Sequence, residues 1–137
     1  MAKYAALGMS FGATGEAVVA NVKSISGPGL KVDTEDVTTH DSTGGWEEVV
    51  GTILRSGEVK LDLVYDPNAA THKWAAGGLL SDLVLRTATA YTLVFPSTAA
   101  VTWAFNAFVT GFEPSAAVDG ALTASATLKI TGAPTLA

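Results

Sequence analysis

Residues 122 to 130 read LTASATLKI, with Leu122, Ala124, Ala126, Leu128 and Ile130 at one set of alternate positions and Thr123, Ser125, Thr127 and Lys129 at the other. A period of two is the signature of a strand with one buried and one wetted face, because successive side chains in extended backbone point to opposite sides. Carried over residues 121 to 131 at the usual strand rise, the segment extends about 36 Å. A strand of that length suits a large twisted sheet or a barrel wall, and so narrows the choice of fold.

Shorter runs repeat the pattern. In residues 58 to 66 Val59, Leu61, Leu63 and Tyr65 oppose Glu58, Lys60 and Asp62, and Tyr91, Leu93 and Phe95 alternate, as do Trp103, Phe105, Ala107 and Val109. Residues 16 to 25 (EAVVANVKSI) and 30 to 36 also read as strands, separated by the turn sequence SGPG. Pro96, Pro114 and Pro134 punctuate the later runs. One helix is expected within residues 70 to 84: Asp66-Pro67-Asn68 has the chemistry of a helix start, and Ala70, Trp74, Gly77, Leu80 and Val84 fall down one side. Gly77 and Gly78 cost such a helix about 1 kcal/mol each, so it should be short, ending near Gly78 or Asp82. Six or seven strands and one helix, without strand–helix alternation, predict a mainly β protein: an antiparallel β-sandwich or barrel with one flanking α-helix and a long loop after the second strand.

With 137 residues the chain is one domain's worth. It has no cysteine, so neither disulfides nor thiolate zinc sites support it. The N-terminal sequence MAKYAALGMSFGATG is too weakly apolar for a secretory signal, and no run approaches the roughly 18 apolar residues of a membrane span. Eight Lys+Arg against 13 Asp+Glu, without a basic cluster, disfavours a phosphate-gripping nucleic-acid binder. Charged residues are only 15% of the chain and hydrophobic ones 48%, a thin supply of solvating groups for a lone small domain. Partners should therefore cover part of its apolar surface.

The chemically suggestive stretch is VTTHDSTGGWEEVVG, residues 37 to 51. It lies in a polar segment without helical or strand period, and loops of that length are usually functional or disordered. His40, Asp41 and Ser42 are the residue types of a hydrolytic triad, but adjacent side chains diverge and cannot form the nucleophile–base–acid chain. His72, the other histidine, stands far off beside Lys73, without the close spacing of a metal pair; both histidines read as solvent or cap residues. Asp33, Glu35 and Asp36 lack the glycine and glutamate positions of a calcium loop, and neither GPG nor TGG has phosphate-binding spacing. No catalytic residue, cofactor or metal is expected. Trp46, between Gly44-Gly45 and Glu47-Glu48, is either an anchor pinning the loop to its own domain or a hot spot for a partner. Trp74 and Trp103 read as core. The residues alone leave open a monomeric carbohydrate-binding β-sandwich, with Trp46 or Tyr91 stacking on a sugar, and a small hydrolase using His40 or His72.

Three blocks, VKSISGPGLKVDTEDVTTHDSTGGWEEVVG, SGEVKLDLVYDP and FNAFVTGFEPSAAVDGALTASATLKITGAPT, together resemble the tail tube (major tail) proteins of long, non-contractile-tailed bacteriophages. The resemblance covers about residues 16 to 135, and its most specific parts are DVTTHDS and AVDGALTASATLKITGAPT. It implies a single tail-tube domain over residues 1 to 137, with an N-terminal arm (1–15) and an assembly loop (37–55). It further implies hexameric rings stacked into a hollow tube around a tape-measure protein, bounded by tail-tip and tail-terminator proteins, with double-stranded DNA passing through. Such a subunit belongs to the virion and is assembled in the host cytoplasm; a tail terminator or capsid decoration domain is the nearer alternative.

On this resemblance residues 37 to 51 bind another copy of the chain. The expected contact residues are Val37, Thr39, Asp41, Trp46, Glu47 and Val49, with Trp46 as anchor and Lys23, Lys31 and Arg55 as mates for the carboxylates. With few apolar residues of its own to bury, the loop should be mobile in a free subunit and ordered in the tube. Six copies at −5 each would bring roughly 30 negative charges to a ring, and if a fair share lines the lumen, DNA would be repelled from the wall and slide along it.

Overall fold

The structure, a computed structural model, describes residues 3–5, 7–14, 18–72, 78–97 and 99–136. Eight strands and one α-helix are formed among them: β1 (Ser10–Ala13), β2 (Val22–Ser26), β3 (Lys31–Asp36), β4 (Val49–Arg55), β5 (Glu58–Val64), α1 (Leu79–Leu85), β6 (Thr89–Phe95), β7 (Val101–Ser115) and β8 (Thr123–Thr135). Six strands make one antiparallel sheet in the order β1-β6-β7-β8-β5-β2, and β3 and β4 pair only with each other. The large sheet curls into a half-barrel. The mainly β, antiparallel class with one helix is as expected, in the form of one curled sheet.

The alternation in β8 is realised in full. Ala124, Ala126, Leu128 and Ile130 are buried, facing a core with Val59, Leu61 and Leu63 of β5 and Phe105, Ala107 and Val109 of β7. The strand begins at Thr123, leaving Leu122 half exposed, and runs past Pro134 to Thr135. Pro114 likewise lies inside β7. β6 pairs with β7 only as far as Ala107, so from Phe108 onward one edge of β7 has no partner in the sheet and a proline there interrupts no second ladder. Around Gly132 (φ 76°) the β7–β8 register is irregular, and Pro134 falls in that irregular stretch.

Three expected elements differ. Residues 16 to 25 are not one strand: Asn21 turns to φ 58°, separating an isolated bridge at Val18 from β2, while residues 15–17 lie outside the described set. Within the expected N-terminal arm, residues 10–13 pair with β6 and bury Phe11. The helix starts at Leu79 with Gly78 as its cap, near where it was expected to end. The Asp66-Pro67-Asn68 sequence makes turns instead: the Asp66 carboxylate accepts from the Asn68 N–H (2.9 Å) and its carbonyl from the Ala69 N–H. The buried helix face is Leu79 with Leu83, while Val84 is exposed; Trp74 and Gly77 lie outside the described residues.

His72 also departs from expectation. Its side chain is fully buried, with Nε2 2.6 Å from the Ala20 carbonyl and Nδ1 accepting from the Asp66 N–H at 3.3 Å. The acceptor role of Nδ1 assigns the ring proton to Nε2. The imidazole thus ties the turn after β5 to the loop before β2, as a core residue.

Candidate functional site

β2 and β5 pair within the main sheet, and their continuations β3 and β4 pair beyond it, so the two hairpin strands form one ribbon that leaves the half-barrel at a waist. The waist is built from glycines. Gly27 (φ 97°) lies so close to the Glu58 carbonyl oxygen that a methyl group there would overlap it, and a methyl on Gly57 (φ 73°) would stand 2.6 Å from the Gly29 carbonyl oxygen. Both positions need the left-handed backbone and the missing Cβ together.

Past the waist the ribbon stands free of the sheet. β4, VVGTILR, carries four Val, Ile or Leu residues in seven and is exposed at every position, whereas the neighbouring β5, EVKLDLV, buries every second residue. Leu54 is 82% exposed, and Leu30, Val32 and Ile53 are also uncovered. An apolar strand pair that its own domain leaves open is the kind of surface that other proteins cover. The sequence expectation stopped at a loop over residues 37 to 55 and missed this strand. The β-branched run VVGTI was the signal for it.

The tip, residues 37–48, is organised by its own hydrogen bonds. The Thr38 hydroxyl accepts from the Glu48 N–H at 2.8 Å, the Val37 N–H donates to the Glu48 carbonyl, and Ser42 Oγ accepts from the Thr39 N–H and donates to Glu48 Oε2. Thr38, through its hydroxyl and through the N–H that donates 2.8 Å to Asp36 Oδ1, holds the Asp36 carboxyl below the usual carboxylate range. A 3₁₀ turn at Thr43–Gly45 puts Gly44 and Gly45 at positive φ. A methyl on Gly44 would come 3.1 Å from Trp46 Cδ1, so the glycine pair lets the indole lie against the turn while remaining 78% exposed.

Val37, Thr39, Asp41, Trp46, Glu47 and Val49 are all exposed on this tip and its first strand pair. Of the basic residues matched to them in the sequence, Arg55 already holds Asp33 (Nε–Oδ2 2.7 Å) across the hairpin, Lys31 pairs with Arg55 in register, and Lys23 lies on β2, an edge strand of the main sheet. His40 is exposed on the tip and His72 is buried in the core, so the two share no site. Among the described residues no group of three His, Asp or Glu side chains could hold a metal, and no helix is long and apolar enough to cross a membrane. Trp103 is half-buried edge-on to Phe95.

The half-barrel thus presents an uncovered apolar ribbon. Residues 16–136 match the phage tail tube protein family, and the chain belongs to that family, a structural family and not one of enzymes. No curated protein matches the sequence. Among solved structures, it is similar to a chain in the virion of a native gene transfer agent particle (16% identity, TM-score 0.74, 94% of this chain and 95% of that one covered). It is also similar to a chain in the sheath/tube terminator of an extracellular contractile injection system (15%, 0.74, 100% and 98%). A third is a chain in the tail of an empty gene transfer agent particle with C6 symmetry (18%, 0.70, 94% and 93%). At these identities the likeness is one of fold. Because a contractile system is among them, the match is to tail tubes as a family, broader than the non-contractile group expected from the sequence.

Proposed function

We propose that the chain is the repeating subunit of a phage-like tail tube, in which six copies close a ring, rings stack, and the β3–β4 ribbon is covered by neighbouring subunits. The observation that carries this reading is the apolar β4, exposed at every position, on a chain of the tail tube family. The C6 symmetry of one structurally similar tail supports the number six. Tape-measure, tail-tip and tail-terminator proteins are the partners such a tube requires, and double-stranded DNA is the cargo of its bore. The family match supports the tube itself; the non-contractile setting is the simplest version, a tube without a sheath. Net charge −5 suits a wall along which DNA slides.

The test is negative-stain electron microscopy alongside light scattering over a concentration series, with and without a tail-tip initiator complex. Tubes or six-fold rings are expected, and loaded tubes should release DNA without retaining it at low salt. A strict monomer at every concentration, with tryptophan fluorescence that responds to glycans, would replace this reading with a carbohydrate-binding one.

A further inference from the structure

An apolar groove of about 560 Å³ lies at the waist of the ribbon, at the scale of a small-ligand pocket. Leu30, Val32 and Leu54 line one side and Ala133, Pro134 and Leu136 the other, with Lys31 and Arg55 among its polar lining. Ser56 Oγ donates to the Gly132 carbonyl and ties the two sides together. Pro134, in the irregular stretch of β8, and Leu136 just after the strand form one wall.

Resting on the tube-subunit reading, we propose that this groove is the receptor for the hairpin tip of a second copy, with Trp46 of one protomer seated between Leu54 and Pro134 of the next. The tip and the groove are complementary. The tip carries the most exposed aromatic ring among the described residues, Trp46, flanked by Glu47, Glu48 and Asp41; the groove is apolar with two basic residues in its lining. Asp33 already compensates Arg55, whereas Lys31 has no carboxylate within ion-pair distance among the described residues, so Lys31 is the group a tip carboxylate would meet.

The tip cannot fill the groove of its own chain. The groove is formed at the Lys31–Arg55 end of the ribbon and the tip begins beyond the Asp36–Val49 pair, and six extended residues hold the two about 20 Å apart. A knob and a hole at opposite ends of one ribbon allow a head-to-tail contact, the kind that propagates into rings or stacked filaments. The apolar seat supplies affinity, and the charge pairs set orientation and salt dependence.

The absence of native cysteine allows a direct test that keeps the tryptophan in place. Glu47→Cys and Ala133→Cys chains are mixed, assembled and oxidised. A disulfide-linked dimer from the mixture, in excess of that from either variant alone, is expected. In separate chains, Trp46→Ala should raise the concentration needed for assembly about 30-fold, as for a buried aromatic hot spot. Lys31→Glu should raise it about 2- to 5-fold, with recovery when combined with Glu47→Lys. Tubes that form without the mixed crosslink, or that crosslink Glu47→Cys to itself or Ala133→Cys to a Leu7→Cys chain, would overturn the groove assignment and leave the tube reading standing. A wild-type chain that never assembles would overturn both.

Discussion

The Tyr91 hydroxyl donates a 2.6 Å hydrogen bond to Asp82 Oδ2, joining the middle of β6 to the only α-helix described. The same ring stacks on Phe11 of β1, with centroids 5.2 Å apart, so one side chain holds the edge strand, the sheet and the helix in a single unit. Burial first, and then the hydrogen bond and the negative charge of Asp82, push the Tyr91 phenol well above its ordinary value. The folded protein therefore keeps a proton that the unfolded chain releases above about pH 10. Stability from this group is complete below that pH and declines as pH rises through the alkaline range. Tyr91→Phe should cost about 1–2 kcal/mol at neutral pH, since it leaves a half-buried carboxylate without its donor. It should also flatten the alkaline limb; urea denaturation at pH 7 and above pH 10 measures both.

The buried imidazole makes a prediction of another kind. His72→Leu fills the space but leaves the Ala20 carbonyl and the Asp66 N–H without the ring partners they now have. Both bonds are part-buried, so each partner left unpaired costs about 1 kcal/mol, toward the low end for such groups, and a loss of about 2 kcal/mol is expected. His40→Ala, on the exposed tip, should stay within about 0.5 kcal/mol of wild type. Equal effects of the two substitutions in chemical denaturation would contradict the assignment of His72 to the core.

The strands that bury one face were legible because burial imposes a period of two. Val59, Leu61 and Leu63 on β5 and Ala124 to Ile130 on β8 lie as their alternation predicted. β4 was not legible for the converse reason: exposed at every position, it has no inward face and so no alternation, and the polar loop before it masked its β-branched residues. His72 was hidden by the turn chemistry around Asp66-Pro67-Asn68, which is common to helix starts and to the tight turns found here. The helix boundary failed with it, because Gly78 reads from sequence as a breaker and serves here as the cap. Of the candidate site, the polar tip was readable as a segment without core periodicity; the groove was not, since its two walls come from residues about 80 to 105 positions apart in the chain.

The waist separates two roles of glycine that sequence does not distinguish. At Gly45 (φ 74°) a methyl group meets nothing within 4 Å, so Gly45→Ala should cost only the left-handed backbone penalty, about 1–2 kcal/mol. At Gly27 the same penalty is joined by overlap with the Glu58 carbonyl oxygen, and relief requires the ribbon to shift. Gly27→Ala should therefore cost more than about 3 kcal/mol and, in whatever fraction folds, misdirect the tip and suppress assembly. Thermal melts paired with light scattering make the comparison; a Gly27→Ala chain as stable and as competent as Gly45→Ala would show that the waist is not fixed.

The hydrogen bonds of the tip are all exposed: Thr38 with Glu48, Ser42 with Thr39 and with Glu48. In water each is exchanged for a bond to solvent at little net cost, and no residue of the 3₁₀ turn is buried to hold them closed. The amides of residues 38 to 48 should then exchange quickly in a dilute monomer, while those of β5 and β8, whose inward side chains form the core, exchange near the global limit. On assembly, seating of Trp46 removes the tip from water, and protection there should rise by at least about tenfold while β5 and β8 change little. Hydrogen exchange read by mass spectrometry on monomer and tube separates the outcomes. Strong protection of the tip in a proven monomer would mean that its own hydrogen bonds suffice to order it. Unchanged fast exchange in the tube would mean that the tip stays in solvent and that the contact between copies is made elsewhere.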